Sequence, residues 1–295
     1  MDRRKKVVIT GAGGGVVGRI LPQLRERYDL VLLDLYNTDA EGNTIEGMQI
    51  VNMANRDREA LRAYFKGADV VMHTAYTFSR RVTQGGGDGG DGGYQSALDD
   101  IQMAYNVYRL AQEEGIGRVV MFSSNQAANF YEQLIKRGLL ETMDEDLVPY
   151  ADNFYGWSKI AIESLGHLFA AGHVGKTGKP PIEVICVRLG APRTDLIENV
   201  KAEDQYLLRR HFGSYLSEKD EIQLLSLCID QEDVRDENGI PFLLVYGVSD
   251  NYNRLWSLKN ARKYLGYAPE SNSYFDFPER ITELFNAHIE AGEKK

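Results

Sequence analysis

The stretch Val7-Val8-Ile9-Thr10-Gly11-Ala12-Gly13-Gly14-Gly15-Val16-Val17-Gly18 decides the reading of this chain. An apolar β run breaks into glycines and then into a helical pattern. The next apolar run, Leu30-Val31-Leu32-Leu33, ends on Asp34. Glycines allow a tight strand-to-helix turn, and they let backbone N–H groups approach a pyrophosphate without interference from a Cβ. An acid about 20 residues further on accepts hydrogen bonds from the hydroxyls of an adenosine ribose. Strand, glycine turn, helix and acid together predict a dinucleotide site; a glycine-rich loop in an unrelated α/β protein is the plainer alternative. Asp34 also discriminates between cofactors. Its carboxylate would repel a 2′-phosphate, and Leu35, Tyr36 and Asn37 bring no cation to offset it, so NAD is expected over NADP.

A chain of 295 residues is long enough for one large α/β domain, or one plus a small lobe. Its 43% hydrophobic and 26% charged residues are ordinary for a globular protein. A net charge of −9 argues against sequence-independent nucleic-acid binding, and Arg3-Arg4-Lys5-Lys6 is the longest basic block. That block runs straight into a strand with no apolar signal region, and no run of about 18 apolar residues offers a membrane span. The expected location is cytoplasmic. Of the two cysteines, Cys186 lies in an apolar strand pattern and reads as a small core residue rather than half of a disulfide.

Strand-like runs at Lys6–Thr10, Leu30–Leu33, Met48–Val51, Asp69–Thr74, Arg118–Ser123 and Ile182–Arg188 alternate with helical patterns at Val16–Tyr28, Arg58–Phe65, Tyr94–Glu114 and Tyr155–Ala171. This βαβ rhythm predicts an α/β fold, a doubly wound parallel sheet with helices on both faces. After Arg188 the rhythm changes. Residues 192–240 read as polar and irregular with short helical pieces, Phe242–Tyr246 as one more buried strand, and Ser257–Leu265 and Pro278–Ala291 as helices. We therefore expect a cofactor-binding domain over 1–189, joined by the 242–246 strand, and a small substrate lobe over most of 190–295. The run Gly85-Gly86-Gly87-Asp88-Gly89-Gly90-Asp91-Gly92-Gly93 should be flexible, as a flap near the substrate or as an inert loop. Its aspartates occur in a single copy with no strand ladder, so no metal is expected.

Tyr155-Gly156-Trp157-Ser158-Lys159 puts a phenol and an ammonium four residues apart, on one helix face. A nearby lysine favours phenolate and so prepares tyrosine to act as a base near neutrality. The same spacing recurs in Tyr215-Leu216-Ser217-Glu218-Lys219. Only Tyr155 follows a serine-ended strand, Val119-Val120-Met121-Phe122-Ser123-Ser124, so the second pair reads as chance.

Thr10–Gly18, Asp34, His73-Thr74-Ala75, Asn106, Ser123-Ser124 and Tyr155–Lys159, in that order, resemble the extended short-chain dehydrogenase/reductase superfamily, which includes the NAD-dependent epimerases and dehydratases. The resemblance spans nearly the whole chain. It implies a Rossmann-type domain, with NAD held by Gly11, Gly13, Gly14, Gly15, Val16, Val17, Asp34, Leu35, Met53, Ala54, Thr74, Ala75, Tyr76, Asn106, Tyr155 and Lys159. It implies further that Ser124 orients the substrate oxygen, Tyr155 is the acid/base and Lys159 also holds the nicotinamide ribose. Asn106 would take part in proton relay or helix positioning, or simply bond locally. His73 reads as a packed strand-end residue. The glycine loop is one residue longer than the usual extended pattern.

Within the superfamily, Ser123-Ser124-Asn125, Val187-Arg188-Leu189-Gly190, the Tyr215-Leu216-Ser217 region and Tyr246-Gly247-Val248-Ser249 resemble uronate dehydrogenases, which oxidise the anomeric carbon of a hexuronate with NAD to a lactone. That similarity implies a substrate site of Ser124, Asn125 and Tyr155, with Arg210 pairing the sugar carboxylate, as a planar guanidinium does bidentately. Arg193 and Arg209 are the alternative cations. Phe78 stands where those enzymes tend to have a small polar residue, and Ala191 where they have serine; the insertions at 85–93 and 131–148 reshape the rim. Homodimers or higher homo-oligomers, paired through the helices at 94–114 and 155–171, are implied as well. The competing readings are a nucleotide-sugar epimerase or dehydratase, a non-catalytic NAD sensor, and a dehydrogenase of another alcohol, including a neutral or phosphorylated sugar.

Overall fold

In β1 (Lys6–Thr10), Val7, Val8 and Ile9 are all fully buried, as expected of a parallel strand covered on both faces. The structure, a computed structural model, describes residues 3–77, 91–174, 180–201 and 203–293. Phe78, Asp88 and the 85–90 part of the glycine-rich run lie outside them. The other strands are β2 (Asp29–Asp34), β3 (Met48–Ile50), β4 (Val70–His73), β5 (Arg118–Ser124), β6 (Glu183–Leu189) and β7 (Phe242–Gly247). All pair in parallel in the order β3-β2-β1-β4-β5-β6-β7. Every expected strand appears within a residue or two of its predicted ends. The order reverses between β1 and β4, where Thr10 pairs with His73. A doubly wound sheet opens its ligand crevice at such a point, at the C-terminal strand ends.

The helices are α1 (Leu21–Arg27), α2 (Glu59–Phe65), α3 (Asp91–Glu114), α4 (Glu132–Lys136), α5 (Phe154–Ala170), α6 (Asp195–Glu198), α7 (Gln205–Ser214), α8 (Glu218–Asp230), α9 (Lys259–Leu265), α10 (Ser273–Asp276) and α11 (Pro278–Glu293). Side chains alternate across the sheet. Val7 and Ile9 join a core with Leu24 of α1, Leu224 and Leu225 of α8 and Ala261 of α9, whereas Val8 joins Leu61 of α2, Val107 of α3 and Ile162 of α5. Both cysteines are buried and free.

Two expectations need correction. The helix expected over Val16–Tyr28 begins late: a 3-10 turn covers Gly18–Ile20 and α1 starts only at Leu21. Pro22 in its first turn has no N–H to bond back to Gly18, so the helical ladder cannot extend through it. Residues 190–295, moreover, do not make one lobe. Helices α8 and α9 pack on the sheet, while Ile197, Val200, Phe212, Tyr215 and Leu284 form a separate small core. The signal for α8 was present in the chain. Ser217 caps it by accepting from Asp220 N at 3.1 Å, and three acids fill its first turn.

Candidate active site

At the order reversal the chain folds back tightly. Gly11 takes φ +75°, and a Cβ there would sit 2.5 Å from the Ala75 nitrogen, so only glycine permits this approach. Thr74 fastens the same point, donating from N to Thr10 O at 3.0 Å and from Oγ1 to Thr10 O at 2.8 Å. The resulting cleft, of about 710 Å³, is lined by the glycine loop (Gly11, Gly13, Gly14, Gly15, Val16, Val17), by Asp34, Leu35 and Met53, and by Thr74, Ala75 and Tyr76. Its size suits a bound cofactor. Asp34 accepts hydrogen bonds from Gly13 N at 2.9 Å and Leu35 N at 2.6 Å, which sets its carboxylate beside the glycine loop. Arg193 is the one cation among the described lining residues. It stands near Tyr76. NAD is therefore expected to bind about 100-fold more tightly than NADP, since juxtaposed like charges cost several kcal/mol. Calorimetric titration of both cofactors checks this; equal affinities would contradict the role of Asp34.

Beside the cleft, β5 delivers Ser124 and α5 delivers Tyr155 and Lys159. Asn153 caps α5, accepting from Gly156 N at 2.7 Å and donating to Gln126 Oε1 at 3.1 Å. Gly156 is needed here because any Cβ would overlap the Gln126 carbonyl oxygen. This close approach brings Tyr155 near Ser124, whose hydroxyl favours the phenolate. Lys159, buried, donates from Nζ to Phe122 O at 3.1 Å and lies 5.3 Å from the centre of the Tyr155 ring. Tyr76 packs on this pair, its ring centre 5.9 Å from that of Tyr155. Burial pushes the Tyr155 phenol up to about 12, against the Ser124 hydrogen bond, and pushes the Lys159 ammonium down. Burial thus opposes the phenolate that the nearby lysine was expected to favour. His73 is buried and pushed down to about 3, hence neutral, and its Nδ1 lies 2.6 Å from Thr10 Oγ1.

A model of the NAD-dependent epimerase/dehydratase family matches residues 7–195. The chain belongs to that family. It is an NAD-dependent oxidoreductase, and its sheet, glycine loop and Asp34 suit that cofactor. Among its relatives is the uronate dehydrogenase of Pseudomonas syringae pv. tomato, 28% identical over 289 residues, covering 97% of this chain and 86% of the relative. The NAD-dependent glucose-6-phosphate dehydrogenase of Haloferax volcanii is 27% identical over 276 residues, covering 90% and 94%. A solved structure of a mutated uronate dehydrogenase superposes with a TM-score of 0.70 at 26% identity, over 95% of this chain and 86% of the other.

Other residues expected in the site are placed variously. Asn125 is buried next to Ser124 and accepts from its hydroxyl at 3.3 Å. Asn106 donates to the Met53 and Asn55 carbonyls, both at 2.8 Å, and so holds the cleft wall at Met53; Ala54 and Asn106 do not themselves line the cleft. Ala191 hydrogen-bonds to Ser214 and Leu216, which aims its neighbours Pro192 and Arg193 into the cleft. Arg210 is a correction. Its Nε donates to both oxygens of Glu132, at 2.8 and 3.0 Å, and Tyr206 donates to the same carboxylate. The guanidinium is already matched to an acid in a half-buried place and does not line the cleft. The second tyrosine–lysine pair is dispersed: Tyr215 precedes α8 and packs on Phe277, while Lys219 is exposed and paired with Glu270. The sequence reading missed Asp100. It lies in α3 beside Asp99, and nothing in the sequence says which of the two acids is buried. Among the described residues no helix is long and apolar enough to cross a membrane, and no cluster of His, Cys, Asp or Glu could hold a metal.

Proposed function

We propose that the chain oxidises the anomeric hydroxyl of a sugar acid with NAD, giving a lactone, and that Ser124, Tyr155 and Lys159 carry the reaction. The observation that supports this most is the grouping of Tyr155 with Lys159, whose Nζ lies 5.3 Å from the phenol ring centre, against Tyr76, which lines the dinucleotide cleft. NAD, when bound, supplies the hydride acceptor and a positive ring that favours phenolate. Ser124 holds the substrate oxygen by donating to it, and Tyr155 as phenolate takes the hydroxyl proton. Lys159 stabilises that phenolate and binds the nicotinamide ribose. Oxidation therefore rises with pH as Tyr155 loses its proton, and the reverse reduction uses the protonated phenol. Fixing the substrate carbon against the acceptor ring supplies much of the rate.

An acidic substrate needs a cation, and Arg193 is the one this reading uses. Its pair with Asp195 joins two exposed side chains, 64% and 47% accessible. Such a pair contributes little and yields easily to a carboxylate or phosphate. The Arg210–Glu132 pair is more enclosed, at 20% and 10%, and is braced by Tyr206. Arg193→Ala should raise KM for a sugar acid about 10- to 100-fold, the scale of a charge-assisted hydrogen-bond pair, while leaving a neutral sugar nearly unchanged. Steady-state kinetics on matched acidic, phosphorylated and neutral sugars test this. If all three respond alike, Arg193 does not recognise the anion; if Arg210→Ala alone discriminates, the original sequence reading is restored.

A further inference from the structure

Behind the catalytic group lies a carboxylate to which the proposed mechanism gives no role. Asp100 of α3 is 2% exposed. Its Oδ1 accepts from Thr77 N at 2.7 Å and from Thr77 Oγ1 at 2.9 Å, and Thr77 Oγ1 is also 2.9 Å from Ser96 O. Thr77 follows directly on Thr74-Ala75-Tyr76, the segment that closes over the glycine loop and sets the Tyr76 ring against Tyr155. Among the described residues, four charged or titratable groups act on Asp100 or feel its charge. From α5 come Lys159, which attracts it, and Tyr155, whose ionisation it opposes; from the loop after β4 comes Tyr76, likewise opposed; on its own helix there is Asp99. Burial holds the Asp100 carboxyl above the usual range, and Lys159 and the Thr77 bonds work against that shift.

We propose that Asp100 is a positioning residue of the catalytic group: it tethers the Tyr76 segment through Thr77, and it supplies the buried negative charge that keeps Lys159 an ammonium. The idea rests on reading Tyr155 and Lys159 as the reacting pair. An ammonium beside a buried phenol would lose its proton to the low-dielectric surroundings unless a counter-charge stood near, and the Lys159 ammonium is indeed pushed down by burial and upheld first by Asp100. The same negative charge raises the cost of the Tyr155 phenolate. Asp100 thus sets the balance between the two groups, holding the pair as ammonium and phenol until cofactor and substrate arrive.

Two substitutions separate tether from charge. Asp100→Asn keeps an oxygen that accepts from Thr77 and removes only the charge; Asp100→Ala removes both. Two readouts apply to each. One is the pH profile of kcat/KM for sugar oxidation. The other is the Tyr155 titration in cofactor-free protein by carbon-13 NMR of labelled tyrosine, assigned by the signal lost in Tyr155→Phe. Asp100→Asn also weakens the support of the Lys159 ammonium, but the charge that acts directly on the phenol is that of Asp100, so both the titration and the rising limb of the profile should move to lower pH by about one unit, the scale of one nearby charge. Asp100→Ala should show the same displacement and a further loss of about tenfold or more in kcat/KM, since Thr77 N and Oγ1 lose the Oδ1 that accepts from both. Thr77→Val, which removes one donor and leaves the charge, should lower kcat/KM without moving the titration. A titration that stays in place in Asp100→Asn, or one that moves in Thr77→Val, overturns the proposal. If instead Tyr155→Phe turns over normally, the assignment of the base fails, and the cofactor-free titration still judges Asp100 by itself.

Discussion

Tyr155→Phe should lower kcat by about 1000-fold, within the range general acid–base catalysis supplies, while the protein folds normally and binds NAD almost as tightly. The phenylalanine ring fills the same space beside Tyr76, and the hydroxyl is what is removed. Tyr215→Phe is the matched comparison. It gives up a hydrogen bond to Asp276 in the small core formed by α6, α7 and α11, and turnover should stay within a fewfold of the parent. Steady-state kinetics with calorimetric NAD titration of both variants decide the matter. A dead Tyr215 variant beside an active Tyr155 variant would reverse the choice between the two pairs.

Arg188→Leu should cost about 3–5 kcal/mol of stability, the usual penalty for stranding one member of a buried ion pair. Arg188 is fully buried in β6. It donates from Nε and Nη2 to the two Glu163 oxygens, each at 2.8 Å, and from Nη1 to the Tyr246 hydroxyl at 2.9 Å. Ser123 donates to the same Glu163 carboxylate. The network ties β5, α5, β6 and β7 together directly behind the site, because Ser123 adjoins Ser124 and Glu163 is one helical turn beyond Lys159. Replacing Arg188 alone leaves a buried carboxylate without its cation. Replacing both, as Glu163→Leu with Arg188→Leu, removes the stranded charge and should recover much of the loss, so the two effects will not add. Urea unfolding of the single and double variants measures this. A single variant within 1 kcal/mol of the parent, or a double variant as unstable as the sum, would contradict the account.

The sheet was legible because each central strand is a short continuous apolar run, and because glycines mark the one turn where a side chain would collide with Ala75. The nearness of Tyr155 to Lys159 is legible from their spacing on one helix face. What sequence could not show depends on distant pairing. Arg210 and Arg193 are equivalent as letters; Glu132, from an insertion 78 residues earlier in the chain, occupies the first and leaves the second at the cleft. Asp99 and Asp100 are adjacent, and only the packing of α3 against the loop after β4 buries the second. The acidity of Tyr155 was misjudged for a related reason: spacing reveals the neighbouring lysine but not the desolvation that opposes it. Helix α8 falls among the short helical pieces expected in 192–240 and differs in its length, Glu218–Asp230.

The central claim is that Tyr155 drives net oxidation of an anionic sugar by NAD. The most direct test mixes the protein with NAD and a panel of hexuronates, sugar phosphates and neutral sugars, and follows NADH absorbance together with the product. The account predicts NADH formed in equal amount to lactone, fastest with a sugar acid, and abolished in Tyr155→Phe. Interconversion of nucleotide-sugar epimers with no net NADH, or NADH production that survives in Tyr155→Phe, would contradict it.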